Sequence, residues 1–204
     1  MAQRFRGFLP VVIDFETGGF DPTRHALLEI ACVFVRFNGE QLVRGEHFEQ
    51  SVKPFAGSLL DPASLKVTGI DPDDPNRAAI AEHEALAQLF QKVRKVVKAE
   101  SCQRAIMVAH NAAFDQAFLN QAIVRNELKR SPFHPFSSID TASLAAVAYG
   151  HTVLSKACER ANIAFDNQQA HNALYDAERT ADLFCEIVNR WPYSAPEPEP
   201  AVDE

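Results

Sequence analysis

The run VVIDFETGG (residues 11–19) closes an apolar stretch with two carboxylates, Asp14 and Glu16, at alternate positions. Side chains of a strand alternate between faces, so both acids project from the same face, about 7 Å apart. Two anions held side by side repel each other. The repulsion is relieved by protonating one of them or by a cation between them, and hard divalent ions such as Mg²⁺ take oxygen ligands of this kind. Taken alone, the pair reads as readily as a strand end reaching the surface before the turn Thr17-Gly18-Gly19.

Two further stretches bear on that choice. In AHNAAFDQAFLNQAI (residues 109–123), Asp115 is in helical phase with Phe118, Leu119 and Ala122, which puts it at the start of an inward stripe. In AHNALYDAERTADLFCEIV (residues 170–188), Asp176 is in phase with Thr180, Leu183 and Ile187, while His171 falls outside that stripe, on the loop entering the helix. Singly, Asp115 reads as an acid complementing a helix dipole, and His171 as an ordinary surface histidine. Together, four acids and a histidine are predicted at strand ends or helix starts that converge on one place, and coincidence is the weaker reading. The chemistry that needs such a set is phosphodiester hydrolysis. Two divalent ions about 3.5–4 Å apart clamp the attacking and leaving oxygens, and shared carboxylates hold them. A neutral imidazole, with an ordinary pKa near about 6.5, takes the proton of the attacking water. His171 is the candidate base, and the expected cofactor is a pair of Mg²⁺ ions, with Mn²⁺ as a substitute.

The elements that must position these groups follow from periodicity. LPVVIDFE, ALLEIACVFVRF and EHFEQSVKP read as three strands, with RFNGEQLVR turning the second into the third as a hairpin. Residues 55–77 are rich in Pro, Asp and Gly and read as a loop, with a brief helical turn at Pro62 to Val67. Over 79–98, Leu86, Leu89, Phe90, Val93, Val96 and Val97 recur at helical spacing, with Gln91, Arg94, Lys95 and Lys98 on another face. A buried strand (RAIMVAH), a helix, a short strand leading into a helix (SSIDTASLAAVAYG) and a long final helix complete the order β-β-β-α-β-α-β-α-α. This predicts one α/β domain over residues 1–191, a mixed sheet flanked by helices, and an acidic Pro-rich disordered tail at 192–204.

Composition narrows the class. The 204 residues are 47% hydrophobic, enough for one core. Four scattered cysteines with no CxxC spacing suggest neither a zinc site nor a disulfide framework, and no segment reaches membrane-spanning length. A soluble cytoplasmic protein is expected. The net charge of −7 excludes a uniformly basic nucleic-acid binder but not local patches. Such clusters exist at Arg4 and Arg6, at Arg94, Lys95, Lys98 and Arg104, and at Lys129 and Arg130. They can meet phosphates, though a solvated helix face accounts as readily for any one of them. Of the 15 phenylalanines, Phe20, Phe114 and Phe136 sit beside the motifs, where a ring can stack on an unpaired terminal base for roughly 1–3 kcal/mol.

VVIDFETGG, AHNAAFD and AHNALYD resemble, in order, the three exonuclease motifs of the DEDD superfamily, in its histidine-containing, DnaQ-like branch with a ribonuclease-H-like fold. The resemblance extends over nearly the whole chain, through RFRGFLPVVIDFET, RAIMVAHNAAFD, HPF before DTASLA, TVLSKAC and AERTADLFCEIVNRW, to those members that trim stable RNAs. It implies a 3′-to-5′ exoribonuclease that removes the terminal A of the CCA end of tRNA, slows at C, trims other structured RNAs with single-stranded 3′ ends, degrades single-stranded DNA ends and releases 5′-monophosphates. Asp14, Glu16, Asp115 and Asp176 would bind two Mg²⁺ ions, with His171 as general base. Phe20, Phe114 and Phe136 would act as base wedges. The resemblance also implies a homodimer in which the basic patch of one subunit, with Arg4, Arg6, Lys98, Arg104 and Lys129 as candidate contacts, faces the active site of the other. One departure is Val67, where these relatives carry a further phenylalanine. The alternatives are a proofreading or repair 3′-to-5′ DNA exonuclease and a nucleic-acid-binding protein without catalysis.

Overall fold

The structure, a computed structural model, describes residues 1–191; the tail expected at 192–204 lies outside the described residues. Five strands, β1 (Phe8–Thr17), β2 (Leu27–Asn38), β3 (Gln41–Ser51), β4 (Arg104–Ala109) and β5 (Phe133–Asp140), form one sheet in the order β3-β2-β1-β4-β5. The first three pair antiparallel, as a hairpin between β2 and β3 requires, and β1, β4 and β5 run parallel. It is the mixed, helix-flanked sheet expected of a ribonuclease-H-like α/β fold.

The period of two in β1 divides the core. Leu9, Val11, Ile13 and Phe15 pack with Leu86, Leu89 and Phe90 of α2 (Glu82–Ala99) and with Phe118 and Leu119 of α3 (Ala112–Arg125). Val12 faces the other way, with Ala31, Val33 and Val108, onto Ala177, Ala181, Phe184 and Val188 of the last helix, Ala173–Arg190. Asp14 and Glu16 continue the Val12 row and therefore leave the sheet on the side of that last helix.

Two helices go beyond the expected order. The helical turn in the first loop is a full short helix, α1 (Pro62–Thr68): Asp61 Oδ1 accepts the Ala63 amide at 3.0 Å, and Gly69 ends the helix at φ 68°. Between α4 (Thr141–Tyr149) and the last helix lies α5 (Leu154–Arg160), which makes the last helix α6. Its Ala157 and Cys158 pack on Ala145, Leu183 and Ile187. Helix α2 starts later than residue 79 because Ile80 is taken up by an extended bridge, its carbonyl accepting from the Lys53 amide at 2.8 Å.

The TGG turn after β1 has a steric basis. A Cβ on Gly18 would come within 2.6 Å of Leu60, and one on Gly19 within 2.2 Å of the His25 ring, so the segment entering α1 lies directly on the turn. At the far side, Glu82 at the start of α2 is 5% exposed and accepts both arms of Arg125 from the end of α3, at 2.9 and 2.6 Å, with the Asn126 amide at 2.6 Å. Arg125 also lies 3.9 Å over the Phe55 ring. Removing the cation strands a buried carboxylate. We expect Arg125→Ala to lower the unfolding free energy by roughly 3 kcal/mol in urea denaturation; a loss too small to resolve would mean that this pair does not hold α2 against α3.

Candidate active site

Three elements deliver the acids to one cleft of about 530 Å³ at the C-terminal end of β1. Asp14 and Glu16 come from β1, and Glu16 is only 7% exposed. Asp115 comes from the first turn of α3 and is 4% exposed; the Phe15 amide donates to its Oδ1 at 3.0 Å, which locks the helix to the strand next to the acid pair. Asp176 comes from the first turn of α6, where Asn172 caps the helix by accepting the Tyr175 amide. His171 sits on the entering loop with φ 66°, and its amide donates to Asp176 Oδ2 at 2.9 Å. The side-chain ligand atoms of Glu16, His171 and Asp176 lie within 4.8 Å of one another. All five residues singled out in the sequence line the cleft.

The electrostatics are those of a site short of positive charge. Burial, and then the charges of Asp115, Glu16, Asp176 and Glu29, push the Asp14 carboxyl well above the ordinary range. Burial with Asp176, Glu29 and Asp115 pushes Glu16 to about 9. Burial pushes Asp115 to about 8 despite the Phe15 amide. Asp176 is raised by burial, partly offset by the His171 amide and ring. Among the residues lining the cleft there is no Lys or Arg. Asp176 Oδ1 is buried with no hydrogen-bond partner. Clustered carboxylate oxygens, one of them orphaned, together with an imidazole, fit hard divalent cations.

Sequence reasoning missed two neighbours. Glu29 on β2 is directly opposite Glu16 in the ladder. Burial raises its carboxyl, and Arg77 and the Ala173 amide offset part of that rise. An acid inside the apolar run ALLEIACV was the available signal. His110 lines the cleft with its Nε2 donating to the Thr152 carbonyl at 2.7 Å and its Nδ1 3.0 Å from Thr141 Oγ1. Burial lowers its pKa, against the opposing effects of Thr152 and Asp140.

The aromatic candidates divide. Phe20, 78% exposed, meets Phe114 edge to face at 6.3 Å, and Phe114 packs on Phe118 at 4.9 Å. Both rings and Val67 line the cleft. Phe136 does not line it: the ring is 81% exposed on β5, edge-on to His134 at 4.6 Å, in the part of the strand where pairing with β4 is irregular. The basic candidates are not in the cleft. Arg4 donates to the carbonyls of Val188 and Trp191, at 3.4 and 3.2 Å, and Arg6 lies 5.4 Å over the Phe8 ring. Lys98 and Arg104, with Arg94 and Arg130, line a separate hollow of about 360 Å³ at the opposite end of β4. Lys129 is exposed next to Arg130 in the chain.

A family model described as exonuclease matches residues 11–184. The chain is 53% identical over 204 residues to ribonuclease T of Marinobacter nauticus, covering all of this chain and 92% of that protein. It is 54% identical over 207 residues to ribonuclease T of Escherichia coli O9:H4, covering 100% and 95%. Among solved structures, E. coli exonuclease I in complex with a dT13 oligonucleotide is similar with a TM-score of 0.65 at 19% identity, over 87% of this chain and 40% of that one. A 3′-exonuclease studied for 3′-end recognition of a histone mRNA stem-loop gives 0.71 at 18% identity, over 90% and 64%. At those identities it is the fold that is shared. With a family match across most of its length and full-length relatives above half identity, the chain belongs to the exonuclease family, alongside the bacterial ribonuclease T proteins.

Proposed function

We propose that this protein is a 3′-to-5′ exoribonuclease that trims the 3′ ends of tRNA, removing the terminal A of CCA, and of other stable RNAs, and that also acts on single-stranded DNA ends. The observation that carries the reading is the convergence of Asp14, Glu16, Asp115, Asp176 and His171 on a cleft walled by Phe20 and Phe114. The full-length similarity to ribonuclease T supports the choice of RNA.

Asp14, Glu16, Asp115 and Asp176 would hold two Mg²⁺ ions. When bound, such ions supply positive charge where negative charge develops on the phosphate oxygens. The side chains do the rest. Phe20 and Phe114 receive the unpaired terminal bases; stacking tolerates any base and needs an unpaired end. His171, exposed at the rim, takes the proton of the attacking water. The water oxygen adds to phosphorus, the bond from phosphorus to the 3′ oxygen of the preceding nucleotide breaks, that oxygen takes a proton from solvent water to become the new 3′ hydroxyl, and a 5′-monophosphate leaves. Hydrogen bonding from the His171 amide to Asp176 ties the base to the acid beside which it must act. Val67 presents a small aliphatic surface where a ring would extend the stack, and a weaker grip on the end follows.

The position of the basic hollow supports a homodimer. Arg104 opens β4 and Ala109 ends it at the cleft, five steps of about 3.3 Å, or roughly 17 Å, away. Lys98 and Arg104 therefore lie far from the cleft of their own chain, and in a homodimer they would meet RNA held in the cleft of a second copy.

With 5′-labelled tRNA ending in CCA, we expect Mg²⁺ but not EDTA to permit loss of the terminal A followed by a pause at C, and His171→Ala to slow turnover by about 10²–10⁴-fold with an unchanged circular dichroism spectrum. Intact tRNA alongside consumption of a single-stranded DNA end would replace the RNA reading with that of a DNA exonuclease. For the dimer, we expect a mixture of Asp176→Asn with the double variant Lys98→Ala/Arg104→Ala to regain activity that neither has alone; a monomer by analytical ultracentrifugation would contradict it.

A further inference from the structure

Helix α3 carries Phe114 and Asp115 in its first turn, but it does not cap itself. Asn111, the residue before the helix, lies in the left-handed region at φ 67° and makes no side-chain cap bond. Of the amides at its start, which an uncapped helix leaves without partners, those of Asn111 and Ala112 are taken up from β5. Asp140 Oδ1 accepts from Asn111 at 2.9 Å and from Ala112 at 3.2 Å. The same oxygen accepts the Ala142 amide at 3.3 Å, while Oδ2 accepts the Ser143 amide at 3.0 Å and the Ser143 hydroxyl. One carboxylate thus fastens the starts of two helices, one leading into the cleft and one away from it.

The surroundings fix the height of this clamp. Asp140 pairs with Ala109 in the parallel ladder, and the next residue, Thr141, donates its hydroxyl to the Ala109 carbonyl at 3.2 Å. His110 spans Thr141 and Thr152 and lines the cleft beside Asn111. Burial pushes the Asp140 carboxyl up, but the Ser143 hydroxyl and the amides of Ala112, Ser143 and Asn111 outweigh it and hold the carboxyl below the ordinary range.

We propose that Asp140 is a positioning residue: by binding the first amides of α3 it sets where that helix begins, and so where Asp115 and Phe114 stand in the cleft. The inference rests on the reading of the cleft as a divalent-ion site. Ligand constellations of that kind must be held to about 0.5 Å, and groups that orient metal ligands typically change metal affinity by about 10–100-fold when removed.

Serine at position 140 separates this role from simple capping of α4. Its single short oxygen still caps α4 but does not also reach Asn111 and Ala112; Asp140→Thr repeats the test with a second capping side chain. Asparagine keeps a carbonyl oxygen in the place of Oδ1. Two readouts are followed: the Mg²⁺ concentration at the midpoint of metal-induced thermal stabilisation, and the NMR resonance of the Phe15 amide, which donates to Asp115. We expect Asp140→Ser to raise the Mg²⁺ midpoint about 10–100-fold and to move the Phe15 resonance, with Asp140→Asn close to wild type. An unchanged midpoint and an unmoved Phe15 resonance in Asp140→Ser would overturn the inference and leave Asp140 as a cap of α4. A wild-type protein indifferent to Mg²⁺, with the Phe15 resonance still moved in Asp140→Ser, would sink the metal reading and leave the positioning role standing.

Discussion

The burial of several carboxylates side by side is the constraint on which the rest of this structure depends. Burial raises the carboxyls of Asp14, Glu16, Asp115, Asp176 and the neighbouring Glu29, the nearby acids add to the rise at Asp14 and Glu16, and the cleft is lined by no Lys or Arg. A fold gains nothing in stability from such an arrangement. The sheet core and the helix packing hold the acids together against that cost.

The supporting elements can be read as solutions to this constraint. The β1 strand aims two acids at the α6 side of the sheet, and the start of α6 brings Asp176 and His171 over them. Helix α3 lies on the opposite face, so its acid reaches the site only at the end of the sheet, where the Phe15 amide meets Asp115. The Glu82–Arg125 pair ties α3 to α2 at its far end, and Asp140 ties its near end. The aromatic wall of Phe20 and Phe114 rests on Phe118 in the core, so the ring surface that lines the cleft is continuous with the packing of the domain.

Local periodicity made much of this legible in the sequence. The period of two placed Asp14 and Glu16 on one face, the period of 3.6 placed Asp115 and Asp176 on their inward stripes, and the absence of phase placed His171 on a loop. What escaped depends on pairs far apart in the chain. Glu29 matters because the antiparallel register sets it opposite Glu16, and Asp140 because it caps a helix that starts 28 residues earlier. Neither relation leaves a local pattern. Proximity in sequence is not proximity in space: Phe136 is close to Asp140 in the chain, and its ring does not line the cleft of its own chain. Arg4, expected among the phosphate contacts, engages the carbonyls at the end of α6.

The raised carboxyls carry a thermodynamic sign. Groups with pKa near 9 and 8 in the folded chain, against about 4 when unfolded, hold extra protons in the folded state, so without metal the stability falls as the pH rises from about 4 towards about 9. A cation that binds these oxygens must expel the protons. The most direct measurement is therefore isothermal titration calorimetry of Mg²⁺ into the metal-free protein at neutral pH, in two buffers that differ in ionisation enthalpy. If the acids are a divalent-ion site, two ions bind per chain and at least one proton is released as they do so. An absence of binding, or binding with no proton released, would contradict the account.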